Sequence, residues 1–97
     1  VRDVASATGT PTVDVGTSVG SSADIFTTTE KLYIQTNQSG LTATVLTTNA
    51  SYSVTLDKQS GSTYYGVLSA KRPAGIYAVR LDSASATNLN TSVVEVK

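Results

Sequence analysis

The segment from Lys71 to Asp82 constrains the fold of this chain more than any other. Pro73 and Gly75 predict a turn, because proline presets φ near about −65° and glycine accepts backbone angles that a side chain forbids. Beyond the turn, every second residue is apolar, at Tyr77, Val79 and Leu81. A period of two is typical of a strand with one buried face. The segment therefore predicts a β-strand that covers a core.

The same alternation recurs along the chain. It predicts further strands over Val1–Ala5, Thr12–Val15, Glu30–Asn37, Leu41–Thr48, Tyr52–Asp57, Thr63–Ala70 and Thr91–Lys97. We expect Asp24–Phe26 to return the chain to the core. No window shows the sustained i, i+3, i+4, i+7 spacing of a helix, so we expect no helix longer than a turn. Short strands separated by turn residues at intervals of roughly 8 to 12 residues are typical of a β-sandwich. We expect an all-β fold with about seven to nine strands.

The turn and its strand share a motif with a known superfamily. Gly75, Tyr77 and Val79 form a Gly-x-Tyr-x-Val sequence that resembles the tyrosine corner opening strand F of many immunoglobulin-like sandwiches. The chain lacks the cysteine pair and the tryptophan of antibody domains, so it resembles the cysteine-free modules of surface, adhesive, filament and scaffold proteins. The resemblance implies antiparallel strands in a Greek-key sandwich. It also implies that the Tyr77 phenol bonds to backbone within residues 71–74.

Composition bounds the domain count and the classes of partner. The 97 residues suit one domain, 1–97, which we expect to be a module of a longer surface protein. Seven basic and seven acidic residues cancel, so the chain has no electrostatic footprint for nucleic acid. The absence of Cys, His and Met removes the usual ligands of zinc, copper, haem and iron–sulfur clusters. We expect no cofactor, and no apolar run approaches the roughly 18 residues that insert into a membrane.

No residue set in the sequence specifies a reaction. A serine nucleophile would have no histidine base, no Gly-x-Ser-x-Gly elbow occurs, and no lysine lies in an apolar context that would let it serve as the base. A two-carboxylate site is conceivable, but the acids are scattered and mostly lie at predicted strand ends or turns. We therefore predict no enzyme and no catalytic residue.

The sequence offers oxygen ligands of the kind that calcium requires. Four aspartates could meet at one end of a sandwich, namely Asp14, Asp24, Asp57 and Asp82. No Asp-x-Asp-x-Asp-Gly loop is present, however, and isolated solvated turn acids explain these residues better. We predict no metal site.

The tyrosines offer the only stacking surface. Tyr52 and Tyr77 fall on the core side of their strands, whereas Tyr33 and one of Tyr64 and Tyr65 face outward on neighbouring strands. Cross-strand aromatic pairing is the ordinary explanation of such a pair. The alternative is contact with a glycan or a protein, which makes Tyr33, Tyr64 and Tyr65 the candidate ligand-binding residues.

Two further features concern the surface. Asn37, Asn49 and Asn90 each begin an Asn-x-Ser/Thr acceptor in a predicted turn, which favours an extracellular or cell-surface protein. The Val-rich segment Thr91–Lys97 is a candidate edge strand, where unpaired backbone groups allow strand addition.

Three functions fit these observations. The first is a non-catalytic structural or adhesion module of a cell-surface, secreted or virion-surface assembly that contacts a protein partner or copies of itself. The second is a ligand-binding module that recognises glycan or protein through its exposed tyrosines and loops. The third is an accessory domain of a secreted enzyme.

Overall fold

The computed structural model describes residues 10–97, and every regular element within this range is a β-strand. The predicted strand Val1–Ala5 lies outside the described residues. In chain order the strands are β1 (Asp14–Gly16), β2 (Ile25–Phe26), β3 (Leu32–Thr36), β4 (Thr42–Thr47), β5 (Ala50–Thr55), β6 (Lys58–Ser60), β7 (Thr63–Leu68), β8 (Gly75–Asp82) and β9 (Asn90–Val96).

The strands form two sheets. One has five strands in the order β2-β9-β8-β4-β5, and the other has four in the order β1-β3-β7-β6. The prediction of an all-β chain is therefore confirmed for the described residues.

The core lies between the two sheets and is built from inward-facing residues of every described strand except β6, which is exposed throughout. Leu32 and Ile34 of β3 are buried, as are the three apolar residues of β8 that the sequence places on one face. The other buried apolar side chains are Val15, Phe26, Leu41, Ala43, Val45, Val54, Leu56, Leu68, Val94 and Val96. Strand spacing and alternation thus determine which side chains leave water, and apolar burial of this kind is the main favourable contribution to folding.

The structure corrects two sequence-based expectations about the strands. β2 runs parallel to β9, with Ile25 beside Glu95, so the strands are not all antiparallel. The terminal segment Thr91–Lys97 is also not a free edge, because β9 lies between β8 and β2. Alternation shows which residues face inward but carries no information on neighbours distant in sequence, and this explains both errors. In addition, Lys58–Ser60, which lies between two predicted strands, forms the short strand β6.

One glycine lets the two sheets approach each other closely at the β5 flank. A Cβ at Gly66 of β7 would lie 2.4 Å from the Thr55 carbonyl oxygen and 2.6 Å from a Val54 methyl group. Both contacts come from β5, which belongs to the opposite sheet. Any side chain at position 66 would therefore force the sheets apart.

Candidate functional site

The turn before β8 holds the tyrosine that the sequence singles out. The Tyr77 side chain is buried, and its hydroxyl donates to the Pro73 carbonyl at 2.6 Å, a bond of the kind that the tyrosine-corner pattern implies. Gly75 adopts a φ of 154°, which residues with a Cβ rarely adopt. Burial raises the pKa of the Tyr77 phenol; Tyr52 adds to this effect and the Arg72 charge opposes it. Tyr77, Pro73 and Gly75 therefore form one structural unit.

Arg72, in the same turn, is a residue that the sequence does not reveal. Only 1% of it is exposed, and its guanidinium donates to the carbonyls of Thr27 at 3.0 Å and Glu30 at 2.5 Å, with a longer contact to Leu68 at 3.5 Å. Burial lowers the pKa of Arg72 against the opposing effects of Tyr77, Tyr52 and Glu30. The guanidinium stays charged at neutral pH, because the ordinary pKa of arginine lies so far above 7 that this lowering does not neutralise it. Arg72 thus joins the β2–β3 connection to the β7–β8 connection, which is a structural role.

The outer face of the four-stranded sheet carries two of the three candidate tyrosines. The Tyr33 and Tyr65 rings stack with centroids 6.0 Å apart and planes inclined by 29°. Tyr64 belongs to the other row of β7, opposite Thr36 and in line with the buried Leu68. The structure therefore brings together Tyr33 and Tyr65 but places Tyr64 apart from them.

Gln35 fixes the loop beside this pair. It is only 6% exposed, although it points to the outer face in line with Tyr33. Its side-chain oxygen accepts from the Gly20 N–H at 2.8 Å, and its amide nitrogen donates to the Ser21 carbonyl at 3.1 Å. The loop between β1 and β2 consequently folds over one end of this face. The sequence shows no signal for it, since a glutamine in an outward row is ordinarily solvated.

The outer face of the five-stranded sheet carries an exposed apolar patch. Its main members are Ile25 at 54% exposed, Ile76 at 60% and Val93 at 60%, from three adjacent strands. The register places Glu95 between Ile25 and Ile76, and Ala78 opposite Val93. We call Ile25, Ile76, Ala78 and Val93 the outer apolar patch. Large apolar side chains clustered on a surface mark a contact site more often than single ones do.

A shallow groove adjoins this patch. Its volume is about 330 Å³, and it is lined by the β4–β5 turn, the β7–β8 turn and Ile76 itself. All of the lining residues are uncharged, namely Thr47, Thr48, Asn49, Pro73, Ala74, Gly75 and Ile76. A second cavity, of about 100 Å³ near Asp14 and Asn37, is lined by polar residues. The groove extends the outer apolar patch with a concave surface.

The three predicted glycosylation acceptors lie in different surroundings. Asn37 and Asn49 are exposed in connections between strands, as expected. Asn90 is not in a turn, because it is the first residue of β9. It is half-buried, and its side-chain nitrogen, the atom that a glycan would modify, donates to the Pro11 carbonyl at 2.9 Å. Asn90 is thus the least suitable acceptor of the three.

The aspartates do not form a metal site within the described range. Between residues 10 and 97 no group of three or more acidic, His or Cys side chains could hold a metal ion. Asp82 instead accepts from the Asn88 N–H, the Arg80 Nε and the Thr44 hydroxyl, each at 2.9 Å. Burial by itself raises the pKa of this carboxyl, but these hydrogen bonds more than offset it and the pKa is lowered.

Comparison with known proteins gives no relative. No family model matches the chain, and neither a curated protein nor a solved structure matches it. In the described part of the chain no helix is long and apolar enough to cross a membrane.

Proposed function

We propose that this chain is a non-catalytic structural or adhesion module that acts through protein–protein contacts on the outer face of its five-stranded sheet. The observation that carries the proposal is the outer apolar patch, in which Ile25, Ile76 and Val93 are each more than half exposed. Burial of apolar surface is the main favourable term in most protein association, and a partner gains it here around the Glu95 carboxylate, which the contact has to pair or leave solvated.

The proposal includes an immunoglobulin-like Greek-key arrangement. Immunoglobulin domains order their strands A-B-E-D in one sheet and G-F-C-C′ in the other. The sheet orders β1-β3-β7-β6 and β9-β8-β4-β5 support the same arrangement, with β8 as strand F. Tyr77 then occupies the place of the tyrosine corner, near the start of that strand.

The proposed setting is an extracellular, cell-surface or virion-surface assembly, with a partner protein or further copies of the chain as the contact. Asn37 and Asn49 support this setting, because both are exposed acceptors that a glycosylating pathway can reach. The neutral net charge also supports it, since neighbours in an array would not repel one another. An accessory domain of a secreted enzyme would share these features, and a catalytic domain elsewhere in its parent chain would distinguish it.

Sedimentation at increasing concentration, with and without a double substitution in the outer apolar patch, tests the proposal. We expect Ile76→Lys with Val93→Lys to weaken self-association or binding to a purified partner at least tenfold, because both charges would have to be desolvated. Ser62→Lys with Ser69→Lys adds the same charge at exposed positions away from the patch and should change nothing. Equal association of both variants would refute the role of the patch.

The alternative function is recognition of a glycan by the Tyr33–Tyr65 pair. The stacked rings on an open sheet face favour it, because a sugar ring can pack on an aromatic surface while hydroxyls bond to its edge. Titration with glycans, followed by NMR of the tyrosine resonances, separates the two functions. Saturable shifts at Tyr33 and Tyr65 in a chain that stays monomeric would favour glycan binding over assembly.

A further inference from the structure

The edges of the two sheets differ in length and in protection. Within residues 10–97 the edge strands are β1, β2, β5 and β6. β1 and β6 have three residues each and β2 has two, so each of these edges is short. β6 also carries the charge of Lys58. β5 has six residues, Ala50–Thr55, without a charge, a proline or a glycine. Proteins ordinarily shorten or charge an edge strand to prevent pairing, and β5 has neither protection.

The pairing of β5 with β4 determines which backbone groups face outward. The Leu56 N–H donates to the Leu41 carbonyl at 3.2 Å, directly beyond the last residue of β5. Hydrogen-bonding direction alternates along an antiparallel strand, so Tyr52 and Val54 also face β4. The backbone groups of Ser51, Ser53 and Thr55 therefore face away from the sheet. The Thr55 carbonyl oxygen lies close to Gly66 of the opposite sheet. Within residues 10–97, Ser51 and Ser53 are therefore the residues of β5 whose backbone N–H and carbonyl groups are both available for pairing.

We propose that β5 pairs with β5 of a second copy of this chain, antiparallel and about a two-fold axis at Tyr52, to join the two five-stranded sheets. With the axis at Tyr52, Ser51 of one protomer lies opposite Ser53 of its partner. The free backbone groups of these two residues then satisfy each other in both directions. This inference goes beyond the proposed function, because the β5 edge is a surface separate from the outer apolar patch.

Four properties of the strand favour a second copy as the occupant. Two identical strands of equal length complement each other about a two-fold axis, and such pairing closes as a dimer rather than growing into a fibre. The strand is uncharged, so no like charges meet across the axis. Its outward side chains are the exposed hydroxyls of Ser51, Ser53 and Thr55, which are small and pair well across strands. The half-buried Tyr52 would gain cover from the same residue of the partner.

Disulfide trapping tests both the contact and its register, because the chain contains no cysteine. Two single variants, Ser51→Cys and Ser53→Cys, are mixed in equal amounts, one of them labelled with ¹⁵N, and oxidised gently. Opposite residues of a hydrogen-bonded pair have Cα atoms about 5.5 Å apart, within disulfide reach, whereas residues two positions out of register are about 7–8 Å apart. We expect the mixed disulfide to form at least tenfold faster than either homodisulfide. Homodisulfides forming as fast as the mixed product would overturn the proposal.

A charged edge gives an independent readout. Ser53→Lys places a solvated charge on the exposed side of β5, so the fold should be kept while pairing is weakened at least tenfold in sedimentation equilibrium. Ser62→Lys adds the same charge away from the edge and should leave the dimer unchanged. Substitution of Ile76 and Val93 in the outer apolar patch should not slow the mixed disulfide, which separates this contact from the proposed function. Unchanged dimerisation of the Ser53→Lys variant would overturn the proposal.

Discussion

Replacing Arg72 with methionine should destabilise the fold by about 2–3 kcal/mol. The substitution keeps an apolar stem of similar length but removes the donors to the Thr27 and Glu30 carbonyls. A hydrogen bond to a charged group contributes about 1.5–3 kcal/mol, so the two short bonds together contribute about 3–6 kcal/mol. The 3.5 Å contact to Leu68 adds little. Methionine carries no charge, so the variant avoids the cost of burying an unpaired one, and this offsets part of the decrease in the free energy of unfolding.

Urea unfolding followed by circular dichroism measures the effect. With a slope of about 2 kcal/mol/M, the midpoint should fall by about 1–1.5 M. Lys71→Met is the matched control, because Lys71 is exposed and its substitution should change stability by less than about 0.5 kcal/mol. Arg72→Lys should lose at least as much stability as Arg72→Met. An ammonium group keeps the buried charge but lacks the planar guanidinium that donates to two carbonyls at once. An Arg72→Met variant as stable as the wild type would refute this reasoning.

Two titratable groups give predictions with opposite pH dependence. The raised pKa of Tyr77 means that its contribution is complete below the unfolded pKa of about 10 and is lost as pH rises through the folded value. Tyr77→Phe should therefore lower the free energy of unfolding by about 1–2 kcal/mol at pH 7. Above pH 10 the stability of this variant should fall less steeply with pH than that of the wild type, and parallel stability curves for the two proteins would contradict this. The lowered pKa of Asp82 means that its contribution is present above the unfolded pKa of about 3.9 and is lost as pH falls through the folded value. Asp82→Asn should cost about 1–2 kcal/mol at pH 7 in urea unfolding, and a loss that persists undiminished near pH 2 would argue against the ionised carboxylate as its source.

Features that depend on neighbours close in sequence could be predicted. Alternation at Leu32 and Ile34 gives the buried face of β3, and the resemblance to a tyrosine corner implies the hydrogen bond from Tyr77 to the turn before it. In each case the determining contacts are local, or they follow from the rule that apolar rows face inward. The outward orientation of Tyr33 and of one of Tyr64 and Tyr65 could be predicted in the same way, and the structure shows that Tyr65 is the second residue of the pair.

Features that depend on the order of strands could not be predicted from the sequence. Ile25, Ile76 and Val93 form one patch only because β2, β9 and β8 are neighbours, and the parallel direction of β2 is equally invisible to alternation. Arg72 lies in a Lys-Arg-Pro sequence that is typical of a solvated turn. Its burial depends on carbonyls more than 40 residues away, whose positions follow from the packing of the whole domain.

The acceptors of the Arg72 guanidinium are all main-chain carbonyls, and this affects which substitutions evolution can accept. A carbonyl is present whatever amino acid occupies a position, so Thr27 and Leu68 can vary, within their own packing needs, without loss of the link. The arginine itself has no substitute, since no other side chain offers a charged planar fork. Saturation mutagenesis should therefore show strong selection at position 72 and wide tolerance at position 27, although a hydrogen bond joins the two residues.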